Sequence, residues 1–246
     1  MRIVLLVTMF LLVFTSPLFA QSPLFIGSAF EPPISAPGQK GIVDRIVREA
    51  FARIGKEVLV TPLPAERSLI NADKGINDGD LIRVTGLQRH YPNLIQVSEK
   101  LIDFEFVAFH KGPHIRIENW NTLAPYSVGI VRGWKILERN LSDAHLTQVE
   151  SLSLLFTLLE KGRTDVVVYE RLAGLQAIHD LGLKDISQLE PPLEVQPMYL
   201  YLHKRHKMLI APLIEALKAM KQDGTYHKIV ADGLQPLLQR VPSWLD

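Results

Sequence analysis

Ile42-Val43-Asp44-Arg45-Ile46-Val47-Arg48-Glu49-Ala50-Phe51-Ala52-Arg53-Ile54-Gly55-Lys56-Glu57-Val58-Leu59-Val60-Thr61 is the stretch that decides the fold class. Ile42, Ile46, Ala50 and Ile54, joined by Val43, Val47 and Phe51, recur at helical spacing and mark one apolar face, and Gly55 ends the helix. Glu57 to Thr61 then reads as a strand. With Leu24 to Gly27 as an earlier strand, the segment is a βαβ unit, which points to an α/β protein.

The same alternation continues outward. Ala65 to Lys74 is a short helix closed by Gly75, and Leu81 to Val84 is a strand carrying one conspicuous charge, Arg83. The first half is thus βαβαβ. A second unit begins after Phe104 to His110, whose side chains would alternate between two faces of a strand. Pro113, Trp120 and Pro125 lie in a connection, followed by a strand over Ser127 to Val131, a turn at Gly133 and a helix over Trp134 to Leu141. Leu152, Leu155, Leu158 and Leu159 give the next helix an apolar face, Gly162 stops it, and Val166 to Val168 form a buried strand. Met198 to Leu202 is a further strand, Ile210 to Gln222 a helix with Gly224 past its end, and Tyr226 to Ala231 one more helical turn. No repeat, low-complexity segment or long linker interrupts the series.

The ends and the composition bound the function. Arg2 precedes a largely apolar run from Ile3 to Phe14, then Thr15, Ser16, Pro17 and the small residue Ala20, which predicts an export signal over residues 1–20 cleaved near Ala20. The run is short for a membrane span, which needs about 20 apolar residues, so a periplasmic rather than integral membrane protein is expected; an uncleaved anchor is the alternative. With no cysteine in the chain, a lipid-modified cysteine anchor is excluded. Arg2 leaves with the leader, so 27 basic residues become 26 against 26 acidic ones, a balance that does not suggest nucleic-acid binding. The absence of cysteine excludes disulfides, thiol catalysis and cysteine metal sites.

Several segments, in order, resemble the family 3 periplasmic solute-binding proteins, the receptors of polar amino acid ABC transporters. They are Glu31-Pro32-Pro33, the helix from Gly41 to Gly55, Lys74-Gly75 before Asp78, Val128 to Gly133, Glu160-Lys161-Gly162-Arg163-Thr164-Asp165, and Asp223-Gly224-Thr225-Tyr226-His227-Lys228-Ile229. The resemblance runs from about Leu24 to Leu234. It implies an α/β, type II, two-lobed periplasmic binding protein-like fold, each lobe a mixed sheet flanked by helices. The first lobe would comprise residues 21–110 and 199–246 and the second residues 111–198. Two crossing strands, near Phe106 to Lys111 and near Pro197 to Leu202, would join them, with the ligand in the cleft at strand ends and helix N-termini. The implied function is capture of a small polar solute, an amino acid or related compound, by a monomer serving an ABC permease or a membrane sensor.

The resemblance also implies where ligand contacts fall. Arg89, in the turn Arg83-Val84-Thr85-Gly86-Leu87-Gln88-Arg89, is the nearest match to the arginine that clamps an amino acid carboxylate, with Thr85 beside it; the alternative is a solvated surface arginine. Arg83 ends a buried strand and needs a partner, so it serves either the ligand or an internal ion pair, with Glu66 as the candidate acid. Gly133 offers a backbone N–H to an anionic group at the strand-to-helix turn. Trp134 either stacks on a flat ligand or caps the lobe's core. Glu170 falls where the family binds the ligand's amino group, or is a surface acid paired with Arg171. Phe30 and Glu31 follow the first strand as a cleft wall.

Enzymes share this fold, notably periplasmic cyclohexadienyl dehydratases, in which Glu66 or Glu170 would be the candidate general acid. No specific motif supports catalysis: there is no Gly-x-Ser-x-Gly elbow or HExxH pattern, and His203 and His206 flank a basic surface loop. The expectation is therefore a protein without catalytic residues, cofactor or metal.

Overall fold

The computed structural model describes residues 22–113, 115–141 and 145–239, so the leader read over residues 1–20 lies outside the described residues. The opening βαβ unit is present as β1 (Leu24–Ser28), α1 (Ile42–Arg53) and β2 (Val58–Pro62), with β1 and β2 parallel and Leu24 opposite Val58. Helix α1 buries Ile42, Val43, Ile46, Val47, Ala50 and Phe51, the face that the spacing marks. Its first turn is closed by Asp44, which accepts the Ser35 hydroxyl at 2.7 Å and the backbone N–H groups of Ala36 and Gly41 at 2.8 and 3.0 Å. These bonds satisfy donors that a helix start would otherwise leave open.

The chain continues through α2 (Ala65–Asp73), β3 (Gly79–Arg83), β4 (Leu94–Gln96) and β5 (Ile102–Lys111). Then come β6 (Val128–Val131), α3 (Lys135–Asn140), β7 (Leu146–Val149), α4 (Leu152–Glu160), β8 (Val166–Glu170), α5 (Arg171–Asp180) and β9 (Ile186–Gln188). Strand β10 (Glu194–His203) leads into α6 (Ile210–Gln222) and α7 (Thr225–Leu238). The strands are ordered β2-β1-β3-β10-β5-β8-β6-β7, with β4 on β10 and β9 on β5. This is a two-lobed α/β arrangement. In the first lobe α1, α6 and α7 pack on one another and α2 lies on β1 and β3; in the second α4 and α5 lie on the sheet around β5, β6 and β8.

Strands β5 and β10 join the lobes. Glu194 to Met198 pairs antiparallel with Phe106 to Ile102, and from Tyr199 onward β10 pairs with β3 and β4 instead. The second expected crossing, near Pro197 to Leu202, contains this exchange of partners. The first differs: Phe106 to Lys111 pairs with β8 and β9, inside the second sheet, so the chain changes lobes by Ile102. Residues 102–110 accordingly belong by pairing with the second lobe. Alternation identifies Phe104 to His110 as a strand but carries no information about its neighbours.

Other differences have local causes. Strands β4, β7 and β9 are only three or four residues long. Helix α5 buries Ala173, Gly174, Leu175, Gln176, Ala177 and Ile178 and so lacks the polar face that would reveal its period. Helix α7 continues past the expected Ala231 to Leu238, although Gly233 and Pro236 look like an end. A Cβ on Gly233 would lie 2.3 Å from Ile42 Cγ1, so this glycine permits a close helix contact.

Gly174 shows the same constraint in the second lobe, where an added Cβ would lie 2.3 Å from Cζ of the buried Phe109 ring. Gly174→Ala should lower stability by about 1–3 kcal/mol in urea unfolding, overpacking outweighing the helix-propensity gain of about 1 kcal/mol.

Candidate functional site

A cleft of about 680 Å³ lies between the lobes, within the range of small-molecule sites. The first lobe contributes Ser28 at the end of β1, the following Phe30 and Glu31, and the start of α2 at Ala65 and Glu66. The second contributes the Arg132–Trp134 turn after β6, Glu150 after β7, and Tyr169 of β8. These are the carboxyl ends of the parallel strands, where an α/β sheet presents loops rather than paired backbone.

An aromatic cluster forms the inner wall. Trp134 is 7% exposed and lies near-parallel to Phe104, with centroids 6.3 Å apart at 21°. Phe30 and Phe106 meet the indole edge-on at 5.2 and 5.5 Å, and Tyr169 lies 4.7 Å away. The residue therefore packs in the core and also lines the cleft. Edge-to-face ring pairs of this kind contribute about 0.5–1.5 kcal/mol beyond area burial, and here they connect Phe30 of the first lobe to Trp134 of the second.

Arg83 does not line this cleft but a small adjoining pocket that shares Gly133 and Trp134 with it. Its Nε and Nη2 lie 3.1 and 3.0 Å from Asp80 Oδ2, and Nη2 also donates to the Ala65 carbonyl at 3.0 Å. Asp80 in turn accepts the Ser68 hydroxyl at 3.0 Å. The internal partner is thus Asp80, in place of the expected Glu66, which accepts the Tyr91 hydroxyl. In a regular strand residues 80 and 83 would face opposite sides. Ile82 removes that restriction by adopting φ +61°, and the pairing with β10 shifts register between Tyr199 and Tyr201. A β-branched residue in the left-handed region costs about 1–3 kcal/mol and persists only where its surroundings hold it.

The other expected ligand contacts divide similarly. Arg89 is exposed on the 3-10 turn Leu87–Arg89, outside the cleft, and exposed Thr85 donates to Gln96 Oε1 at 3.0 Å. Strand β4, which the sequence did not reveal, holds this turn: the Tyr201 hydroxyl bonds both Val84 O and Gln96 Oε1 at 2.9 Å. Gly133 lines the cleft, but its N–H donates to Glu138 Oε1 at 2.9 Å and is directed at its own helix. A Cβ on Gly133 would stand 3.1 Å from Ala65 Cβ, so the lobes approach closely there. Phe30, Glu31, Glu66 and Trp134 all line the cleft.

Glu170 is 2% exposed and caps α5, accepting the N–H groups of Leu172 and Ala173 at 3.0 and 2.8 Å. It is therefore not a surface acid, and Arg171 pairs with Glu105 and Glu190 instead. Its neighbour Tyr169 is the β8 residue in the cleft wall. Burial pushes the Glu170 carboxyl up to about 7 against the two N–H donors.

Sequence reasoning missed Ser28, Tyr169 and the Arg132–Glu150 pair, whose Nη1 and Oε1 are 2.7 Å apart. The Ser28 side chain is 1% exposed, lines the cleft, and its Oγ has no hydrogen-bond partner. Its position at the end of the first parallel strand was the available signal. Among the described residues, no group of three His, Asp or Glu side chains could hold a metal ion, and no helix is long and apolar enough to cross a membrane.

No family model matches the chain. It is 28% identical over 191 residues to an uncharacterized protein of Shewanella oneidensis, spanning 74% of this chain and 72% of that one. The L-cystine-binding protein TcyA of Bacillus subtilis is 28% identical over 88 residues, 36% of this chain and 33% of its own length. Among solved structures, a histidine kinase sensor domain with similarity to periplasmic binding proteins superposes with a TM-score of 0.75 at 16% identity, covering 86% of this chain and 96% of that domain. The substrate-binding protein of an amino acid ABC transporter gives 0.72 at 20% identity, covering 87% and 100%. The fold is periplasmic binding protein-like, related to that of the amino acid and solute receptors of ABC transporters.

Two buried acids give tests of this geometry. Asp80→Ala leaves the Arg83 guanidinium buried without its carboxylate and should cost about 3–5 kcal/mol in chemical denaturation. Glu170 has a folded pKa of about 7 against an ordinary 4.5, so its stabilising contribution is full below pH 4.5 and is lost as pH rises through 7. Glu170→Gln should flatten the fall in stability across that window, read from denaturation midpoints at successive pH values.

Proposed function

We propose that this chain is an exported solute-binding protein, a divergent relative of the family 3 receptors, that encloses an amino acid or related compound and delivers it to an ABC permease. The observation that carries the proposal is the 680 Å³ cleft at the strand ends of two lobes joined by β5 and β10. Two long strands crossing between lobes suit hinge closure around a ligand. The similar structures include an ancestral arginine-binding protein bound to glutamine and a Streptococcus pneumoniae ABC transporter substrate-binding protein bound to L-arginine, which supports a small polar solute. Binding and sensor proteins among these structures favour a non-enzymatic role over dehydratase chemistry. The leader read over residues 1–20 supports export to the periplasm.

A sensor role is the second reading, favoured by the superposition on the kinase sensor domain. Neighbouring permease and ATPase genes would favour transport, and a neighbouring membrane receptor would favour sensing.

The proposal is tested by thermal unfolding across amino acids, polyamines, organic acids and aromatic metabolites. A cognate solute at 100 times its dissociation constant should add about 2.7 kcal/mol of stability, and an unmoved midpoint throughout would remove the solute-binding reading.

A further inference from the structure

The groups expected to hold a ligand's carboxylate are engaged with the protein or lie outside the cleft. Arg83 is buried against Asp80 and Ala65, Arg89 lies outside the cleft, and the Gly133 N–H belongs to Glu138. Among the described residues lining the cleft the only guanidinium is that of Arg132, and it sits 2.7 Å from Glu150. The same walls carry Glu31, and Glu66, which takes the Tyr91 hydroxyl. The lining therefore carries three carboxylates against one guanidinium, so a ligand carboxylate would meet an excess of like charge. An ammonium group would meet carboxylates, which attract cations.

The second observation is Ser28. A buried hydroxyl without a partner is costly, and this one lines the cleft beside Phe30. A ligand N–H donated to Ser28 Oγ would satisfy it. Phe30, Trp134 and Tyr169 supply the apolar surface for the rest of the molecule.

We infer that the cleft takes an organic cation with a flat or apolar body and no carboxylate, the amine that remains when an amino acid loses its carboxyl group. This rests on the solute-binding reading and narrows it. Glu31 receives the cationic end at the cleft mouth, the aromatic wall receives the body, and Ser28 accepts a hydrogen bond from the ligand.

The test is titration calorimetry of the protein purified after expression of the complete chain, with three matched pairs: tryptamine and L-tryptophan, phenethylamine and L-phenylalanine, agmatine and L-arginine. The expected result is at least one amine binding about 10-fold or more tightly than its parent, with Glu31→Gln weakening that amine about 10-fold and leaving the unliganded unfolding midpoint in place. Ser28→Ala should weaken the same amine, again with the midpoint as the check on folding. Parent amino acids that equal or exceed their amines in every pair would overturn the inference and leave the solute-binding reading standing. Silence from all six compounds, with a hit elsewhere in the wider panel, would also overturn the inference alone; silence throughout would overturn both.

Discussion

The pairing of β5 with β10 is the constraint on which the rest of the structure depends. Each strand is ten residues long, and over Ile102 to Phe106 and Glu194 to Met198 they hydrogen-bond to each other. Beyond that ladder β10 joins the first sheet and β5 the second. Each lobe therefore takes its central strands from chain that also belongs to the join, and the cleft is the gap that remains where the two sheets part. Phe104 and Phe106 lie on β5 within this join, both fully buried, and their rings back Trp134 of the cleft wall.

Charge near the cleft is used mainly for architecture. Asp44 closes the start of α1, Glu170 the start of α5, and Asp80 holds Arg83 against the start of α2. The Arg83 network requires an unusual backbone at Ile82, so its geometry is fixed by more than two side chains. Buried pairs of this kind often add little net stability. Here they orient the N-terminal turn of α2, the surface that Gly133 of the opposite lobe meets.

The helices with one apolar face and glycine stops were legible in the sequence, as α1 and α6 illustrate, because burial on one side leaves a 3.6-residue record. Helix α5, buried almost all round, leaves none. Of the residues expected to meet a ligand, Phe30, Glu31, Glu66, Gly133 and Trp134 line the cleft, whereas Arg83, Arg89, Thr85 and Glu170 do not. Which carboxylate meets a buried arginine depends on the backbone turn at Ile82. Local composition contains no sign of a left-handed isoleucine, and the three-residue β4 that captures the turn after β3 is too short to announce itself.

Of the three tryptophans, Trp134 lies against rings from both lobes, Trp120 donates its indole N–H to Glu194 at 3.1 Å, and Trp244 falls outside the described residues. Separation of the lobes would withdraw Phe30 from the Trp134 indole and admit water to a ring now 7% exposed. The wavelength of its emission would then track the aperture of the cleft, so the molecule carries its own optical gauge of opening without an attached dye.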